Sequence, residues 1–173
     1  CDNHHVVVPA TSENAYHRSA ALVDQALGMI ADSVGVRPDR PFFTYLAFGA
    51  THAPHQAPEA YLAKYRGRYD EGWDVVRQRW FERQLELGVI PEGTGLAPRN
   101  PGVEPWDDLP ENQRRLAARL QEAFAAFLDH TDDQVGRLVA GLDRLGQLDN
   151  TILCVLADNG ASQEGGQFGV MHE

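Results

Sequence analysis

The chain has 173 residues, of which 43% are hydrophobic, enough for the core of one domain. Asp and Glu outnumber Lys and Arg by 25 to 15, and the formal charge of −10 argues against nucleic acid as a partner. The sequence contains no apolar run of about 18 residues or more and no signal-peptide pattern, so no membrane segment is predicted within it. With only two cysteines, Cys1 and Cys154, a disulfide framework is not indicated.

Four helices are predicted, the first and the last of them from apolar spacing and from capping residues. The first covers 12–30, with Ser12 or Asn14 as its cap, and shorter ones cover 58–65 and 72–87. The Pro- and Gly-rich stretch 88–107 is expected to be a long surface excursion. A long helix then starts after Asp108 and ends at Gly146, because apolar residues recur there every three or four positions.

Two apolar segments, 42–48 and 151–156, predict strands that are covered on both faces, with Cys154 as a small core residue. The long helix followed by the second strand is half of a crossover unit of the kind that builds parallel sheets. An α/β fold is therefore expected. Both segments lead into polar residues, and ligands in such folds bind beyond the carboxyl ends of the strands, so one shared pocket is predicted.

Asp158 and Asn159 follow the second apolar segment and offer a carboxylate and an amide oxygen. Both are hard ligands suited to Ca²⁺ or Mg²⁺. Calcium takes about six to eight oxygens, so further ligands must come from elsewhere. The alternative is that Asp-Asn-Gly is simply a turn.

His52 and His55 lie in a loop stiffened by Pro54 and Pro58. An imidazole there could donate a hydrogen bond to an anionic substrate or pass a proton to a departing oxygen. The alternatives are ordinary surface histidines or a zinc pair. Zinc would need a third ligand, and the oxygen pair favours a harder ion.

Three further features have mainly structural interpretations. The stretch 129–133 is expected to be a solvated helix face with Thr131 turned inward, and 160–166 a flexible loop that either admits substrate to the ion or is disordered. The larger aromatic residues are expected to pack the short helices against the long loop. These are Trp73, Trp80, Trp106, Tyr61, Tyr65 and Tyr69.

Three blocks in this order, at 41–58, 65–74 and 148–162, resemble bacterial arylsulfatases, which belong to the sulfatase family of the alkaline-phosphatase-like superfamily. The similarity runs from Asp2 to Gly166. The resemblance implies an α/β/α sandwich with a mainly parallel central sheet and a long crossover helix.

The resemblance also implies hydrolysis of small-molecule aryl sulfate esters. The nucleophile would be a hydrated formylglycine made from the Cys or Ser of a C/S-x-P/A-x-R motif. Asp158 and Asn159 match the second pair of ligands to one calcium ion, and His52 matches a histidine that binds sulfate and is suited to protonate the leaving oxygen. His55 has no equally firm family role and is a candidate for supporting the residues that touch substrate.

The chain departs from the family pattern because neither Cys1 nor Cys154 lies in the modification motif. Residues 1–173 are therefore expected to be an internal segment of one sulfatase catalytic domain, without its N-terminal nucleophile part and its C-terminal part. On its own the segment is expected to be inactive. A bacterial protein is expected, and the sequence does not separate export from a cytoplasmic location.

Two alternatives remain open at this point. One is a phosphonate monoester or phosphodiester hydrolase of the same superfamily. The other is a non-catalytic binding module that uses the acidic helical stretch as its contact surface.

Overall fold

The computed structural model describes residues 16–157, 159–160 and 166–169. Over these ranges the chain forms α1 (Arg18–Val36), α2 (Glu59–Tyr65), α3 (Trp73–Glu86) and α4 (Glu111–Arg144), with short 3₁₀ turns at Trp106–Asp108, Leu148–Asn150 and Gly166–Phe168. Two compact units result, one made of Cys1–Ala50 with Thr131–Val155 and the other of Thr51–His130 with Leu156–Glu173. Among the described helices, none is long and apolar enough to span a bilayer.

The first unit is built by α1 packing against the second half of α4. Val23 and Leu142 are fully buried there, and Arg137 forms an ion pair with Asp24. A Cβ atom at Gly141 would lie 2.3 Å from a methyl carbon of Leu27. The missing side chain at this position therefore allows the two helices to approach closely.

A capping hydrogen bond sets the start of α1, and a nearby proline sets its end. Nδ1 of His17 accepts a hydrogen bond from the Ser19 backbone N–H at 3.2 Å, so His17 is the N-cap. The predicted caps Ser12 and Asn14 lie outside the described residues. The helix extends beyond the predicted end at Ile30 as far as Val36, where the coming Pro38 disfavours further helical backbone.

The second unit has an aromatic core made by α3, α4 and the end of the long excursion. Trp106, Leu109 and Ala118 are buried, and Tyr69 and Trp73 pack on them. The Trp73 and Trp106 rings meet edge to face with centroids 5.1 Å apart. The predicted packing of short helices against the excursion is thus confirmed for these tryptophans.

A buried carboxylate ties α4 to the turn between α2 and α3. Glu122 is only 6% exposed, and its Oε1 accepts the Gly67 backbone N–H at 2.6 Å. The same oxygen lies 2.6 Å from Arg119 Nη2. A buried charge needs such partners. Here Arg119 comes from the preceding turn of α4, and the Gly67 N–H comes from the turn between α2 and α3.

Helix α4 confirms the predicted long helix with shifted ends. It begins at Glu111 because Pro110 supplies the first accepting carbonyl, and it ends before Gly146, whose φ is +64°. Its 34 residues correspond to about 51 Å. Thr131 is buried as predicted, but His130 is buried as well, at 4% exposure, so 129–133 is not a wholly solvated face.

The two predicted strands are not formed among the described residues. Phe43 and Ile152 are each 92% exposed, and Cys154 is exposed instead of lying in a core. A buried parallel strand needs strand neighbours at its edges and helices on both faces. Segments 42–48 and 151–156 pair with no other described strand, and the sheet expected from the resemblance stays a prediction.

Gly72 caps α3 in a conformation that only glycine adopts readily, with φ 87° and ψ 168°. A Cβ atom would also lie 2.2 Å from the Trp106 indole. We expect Gly72→Ala in the full-length gene product to lower the free energy of unfolding by about 2–5 kcal/mol, because backbone strain and overpacking add. Urea unfolding followed by tryptophan fluorescence measures this.

Gly102→Ala is the matched control, since Gly102 has φ +83° but open space around its Cβ position. Gly102→Ala should lower the free energy of unfolding clearly less than Gly72→Ala does. Equal losses for the two variants would contradict the close approach of Trp106.

The Asp74 side chain anchors the end of the surface excursion 88–107. Its contacts predict how the stability of the fold depends on pH. Its Oδ2 accepts the Trp106 backbone N–H at 3.0 Å, and its Oδ1 accepts Arg99 Nε at 3.0 Å. Partial burial raises the pKa of Asp74, but the Trp106 hydrogen bond and the Arg99 guanidinium outweigh it, so the net pKa is lowered. The unfolded chain therefore binds a proton at this carboxyl more readily than the folded one.

A carboxylate whose pKa is lowered by folding stabilises the protein when the pH is above its unfolded-state pKa of about 3.9. This stabilisation is lost as the pH falls below that value. Asp74→Asn should therefore show a smaller drop in melting temperature between about pH 5 and pH 3 than the parent protein. Asp39→Asn, at an exposed turn, is the control and should keep the parental drop. An unchanged acid dependence in Asp74→Asn would argue against this anchor.

Candidate functional site

The loop 51–58 precedes α2 and presents the two candidate histidines. His52 is exposed, and its Nδ1 lies 2.8 Å from the carbonyl oxygen of Ala53. A carbonyl only accepts hydrogen bonds, so Nδ1 must carry a hydrogen in this contact. Nε2 is then the ring nitrogen that gains or gives up a proton, which is the property required of a general acid.

His55 is held more tightly than His52. Its ring is half-buried and meets the Phe124 ring of α4 edge to face, with centroids 5.5 Å apart. Burial lowers the pKa of His55, a hydrogen bond to the Thr51 backbone raises it, and the neighbouring His52 lowers it again. The net pKa is lowered, so the neutral imidazole is favoured at His55.

The loop continues into α2, which docks on the same stretch of α4. Tyr61 packs edge to face on His130 with centroids 5.0 Å apart. Lys64 Nζ lies 3.0 Å from Asp129 Oδ2 and 4.2 Å from the centroid of the Tyr61 ring. The histidine loop is therefore the start of a segment that is fixed to α4 by several contacts.

Of the predicted ligand pair, Asp158 lies outside the described residues and Asn159 is exposed. Asn159 Nδ2 donates to the Gly160 carbonyl at 2.7 Å, a local contact that orients the amide and leaves Oδ1 as its acceptor atom. A fixed amide oxygen beside a carboxylate suits a hard cation such as Ca²⁺. No group of three or more potential metal ligands occurs within the part of the chain that is described, so such an ion needs oxygens beyond this pair.

The segment after this pair is anchored at its far end. Gln167 Oε1 accepts the Glu104 backbone N–H at 3.2 Å, and the Phe168 ring lies 6.4 Å from that of Trp73. Sequence reasoning did not single out Gln167 or Phe168. Their signal was modest: a polar and an aromatic residue directly after the Gly-rich stretch.

The structure thus brings His52 and His55 together in one loop and adds Phe124, which the sequence pattern had marked only as an apolar helix position. It describes Asn159 but not Asp158. The convergence of His52 with Asp158 and Asn159 on one pocket stays a prediction.

Comparison with known proteins gives the family. The family described as Sulfatase matches residues 2–172. An uncharacterized sulfatase of Schizosaccharomyces pombe is 43% identical over 121 residues, which are 69% of this chain and 22% of that protein. An arylsulfatase of Klebsiella aerogenes is 34% identical over 130 residues, which are 75% of this chain and 28% of that protein.

An arylsulfatase of Clostridium perfringens is more distant, at 25% identity over 124 residues, or 71% of this chain and 23% of that protein. The chain spans about a quarter of the length of the curated relatives it matches. Because the family match runs over nearly all 173 residues, the chain belongs to the sulfatase family.

Proposed function

We propose that the full-length gene product hydrolyses aryl sulfate esters and that this chain supplies part of its active site. The observation that carries the proposal is the family match over residues 2–172, which includes both the His52 loop and the Asp158–Asn159 pair. The arylsulfatase of Klebsiella aerogenes supports the aryl ester as substrate class.

In this proposal His52 binds the sulfate group and protonates the leaving oxygen. Cleavage of the S–O bond puts negative charge on the phenol oxygen, and a protonated imidazole can neutralise it by transferring a proton. The contact between Nδ1 and the Ala53 carbonyl holds the ring so that Nε2 is the atom for this transfer. The exposed position of His52 leaves it accessible to a substrate.

Asp158 and Asn159 are proposed as two of the ligands to one calcium ion. When bound, such an ion would neutralise the sulfate oxygens and so favour attack at sulfur. Asp158 would contribute charge to the binding of this ion, while Asn159 Oδ1 would contribute a neutral oxygen whose amide is oriented by Gly160. The remaining ligands are proposed to lie outside residues 1–173.

The nucleophile is proposed to be a formylglycine that neither Cys1 nor Cys154 provides, because neither lies in the C/S-x-P/A-x-R motif. The 173 residues alone are accordingly proposed to be inactive. They would supply binding and proton transfer to a site that other residues complete.

The test of the proposal is an assay of the metal-loaded full-length gene product with 4-nitrophenyl sulfate, a 4-nitrophenyl phosphonate monoester and bis(4-nitrophenyl) phosphate. We expect kcat/KM to be highest for the sulfate ester. A clear preference for the phosphonate or the phosphodiester would replace the proposal by the related hydrolase. Absence of turnover with all three would favour the binding module.

Asp158→Ala in the full-length gene product tests the ion site. Loss of a charged ligand should weaken calcium binding by at least about tenfold, since even outer-sphere partners of a metal cost that much. Calorimetric titration with calcium and the rate with 4-nitrophenyl sulfate measure the effect. Asp149→Ala, at the exposed turn Leu148–Asn150, is the control and should behave as the parent. Parental metal affinity and rate in Asp158→Ala would refute the assignment.

His52→Ala tests proton donation. We expect kcat to fall by about a hundredfold for aryl sulfates with poor leaving groups and by much less for good ones, because a proton donor matters most when the leaving oxygen is basic. A series of substituted phenyl sulfates of increasing phenol pKa provides the internal control. A uniform loss across the series would indicate that His52 only binds the sulfate group.

A further inference from the structure

His55 links the chain on both sides of His52. Its ring is hydrogen-bonded to the backbone of Thr51, the residue before His52, while His55 itself lies three positions after it. This bond raises the pKa of His55, which means that the imidazole N–H donates to the Thr51 carbonyl. The side chain therefore closes a short loop whose apex carries the proposed proton donor.

The same ring attaches this closed loop to α4. His55 and Phe124 meet with an interplanar angle of 88°, the edge-to-face arrangement that aromatic pairs prefer. Further along the chain, Tyr61 and Lys64 contact α4 at His130 and Asp129. Of these three contacts, that of His55 is the nearest to His52 in the chain.

We propose that His55 is a positioning residue for His52, with its imidazole bonded to the Thr51 backbone and packed on Phe124 so that His52 is held in one orientation. The effect on catalysis rests on the proposed function. The positioning of His52 by His55 does not depend on that function. A misplaced proton donor costs rate because transfer requires the donor within hydrogen-bond reach of the leaving oxygen.

Neither phenylalanine nor glutamine would meet both requirements at position 55. A phenylalanine would keep the ring contact with Phe124 but could not donate to Thr51, whereas a glutamine would keep an N–H donor and lose the ring. Burial is the largest cause that lowers the pKa of His55 and so favours its neutral form. The nearby His52 lowers this pKa further. A neutral imidazole at position 55 adds no like charge beside His52 when His52 carries the proton.

The kinetic test compares His55→Phe and His55→Gln in the full-length gene product. We expect His55→Phe to lower kcat about tenfold for aryl sulfates with poor leaving groups, with KM nearly unchanged. His55→Gln should keep most of the parental kcat because glutamine can still donate a hydrogen bond to Thr51. Lys64→Met breaks the ion pair with Asp129 further along the segment and should leave kcat at the parental value.

A second readout needs no turnover. Nitrogen-15 NMR of labelled histidines reports the tautomer of His52, expected to be one species with hydrogen on Nδ1 in the parent. In His55→Phe this signal should become broadened or mixed, and in His55→Gln it should recover. Such a response supports the inference even if the gene product hydrolyses no sulfate ester, a result that would defeat only the proposed function. Unchanged His52 signals in His55→Phe would overturn the inference, whatever the activity, and so would an unchanged kcat in an active enzyme.

Discussion

The docking of one continuous segment, from the His52 loop through α2, onto helix α4 is the constraint on which the candidate site depends. Two edge-to-face aromatic pairs make this contact, His55 with Phe124 and Tyr61 with His130. Each such pair contributes about 0.5–1.5 kcal/mol beyond its buried area. The exposed Lys64–Asp129 pair contributes about 1 kcal/mol at most, so the aromatic contacts determine where the loop lies.

Glu122 and its partner Arg119 extend the same constraint further back along α4, as far as residue 119. The buried carboxylate of Glu122 accepts the Gly67 N–H directly after α2, and Arg119 balances its charge. Removing the carboxylate would leave a backbone N–H without its partner, at a cost of about 1–3 kcal/mol. Loop, α2 and the following turn are thus tied to α4 between residue 119 and residue 130, and these contacts position the segment that carries His52.

How much of this could be predicted from sequence depends on the kind of residue. Apolar periodicity predicted α1 and α4 among the described helices, and Gly72 and Gly146 marked helix ends because a positive φ favours glycine. Glu122 and His130 could not be predicted as buried, since polar helix positions are usually solvated and only their partners in the fold reverse this. The strands required sheet neighbours that the described residues do not include.

For the candidate site, the sequence indicated His52, His55 and the Asp158–Asn159 pair by residue type and order. It could not indicate which nitrogen of His52 carries the hydrogen or that His55 bonds to Thr51, because both follow from the folding of a Pro-rich loop. Sequence pattern finds reactive groups more readily than the contacts that orient them. Those contacts come from distant positions such as Phe124, whose spacing on a helix predicts burial but not its partner.

The most direct measurement for the central claim is a crystal structure of the full-length gene product with calcium and a bound sulfate ion. The expected result is anomalous density for calcium about 2.3–2.6 Å from oxygens of Asp158 and Asn159. His52 Nε2 should then lie about 2.7–3.2 Å from an oxygen of the same sulfate. Calcium bound elsewhere, or a sulfate at the ion with His52 on another surface, would contradict a shared hydrolytic site.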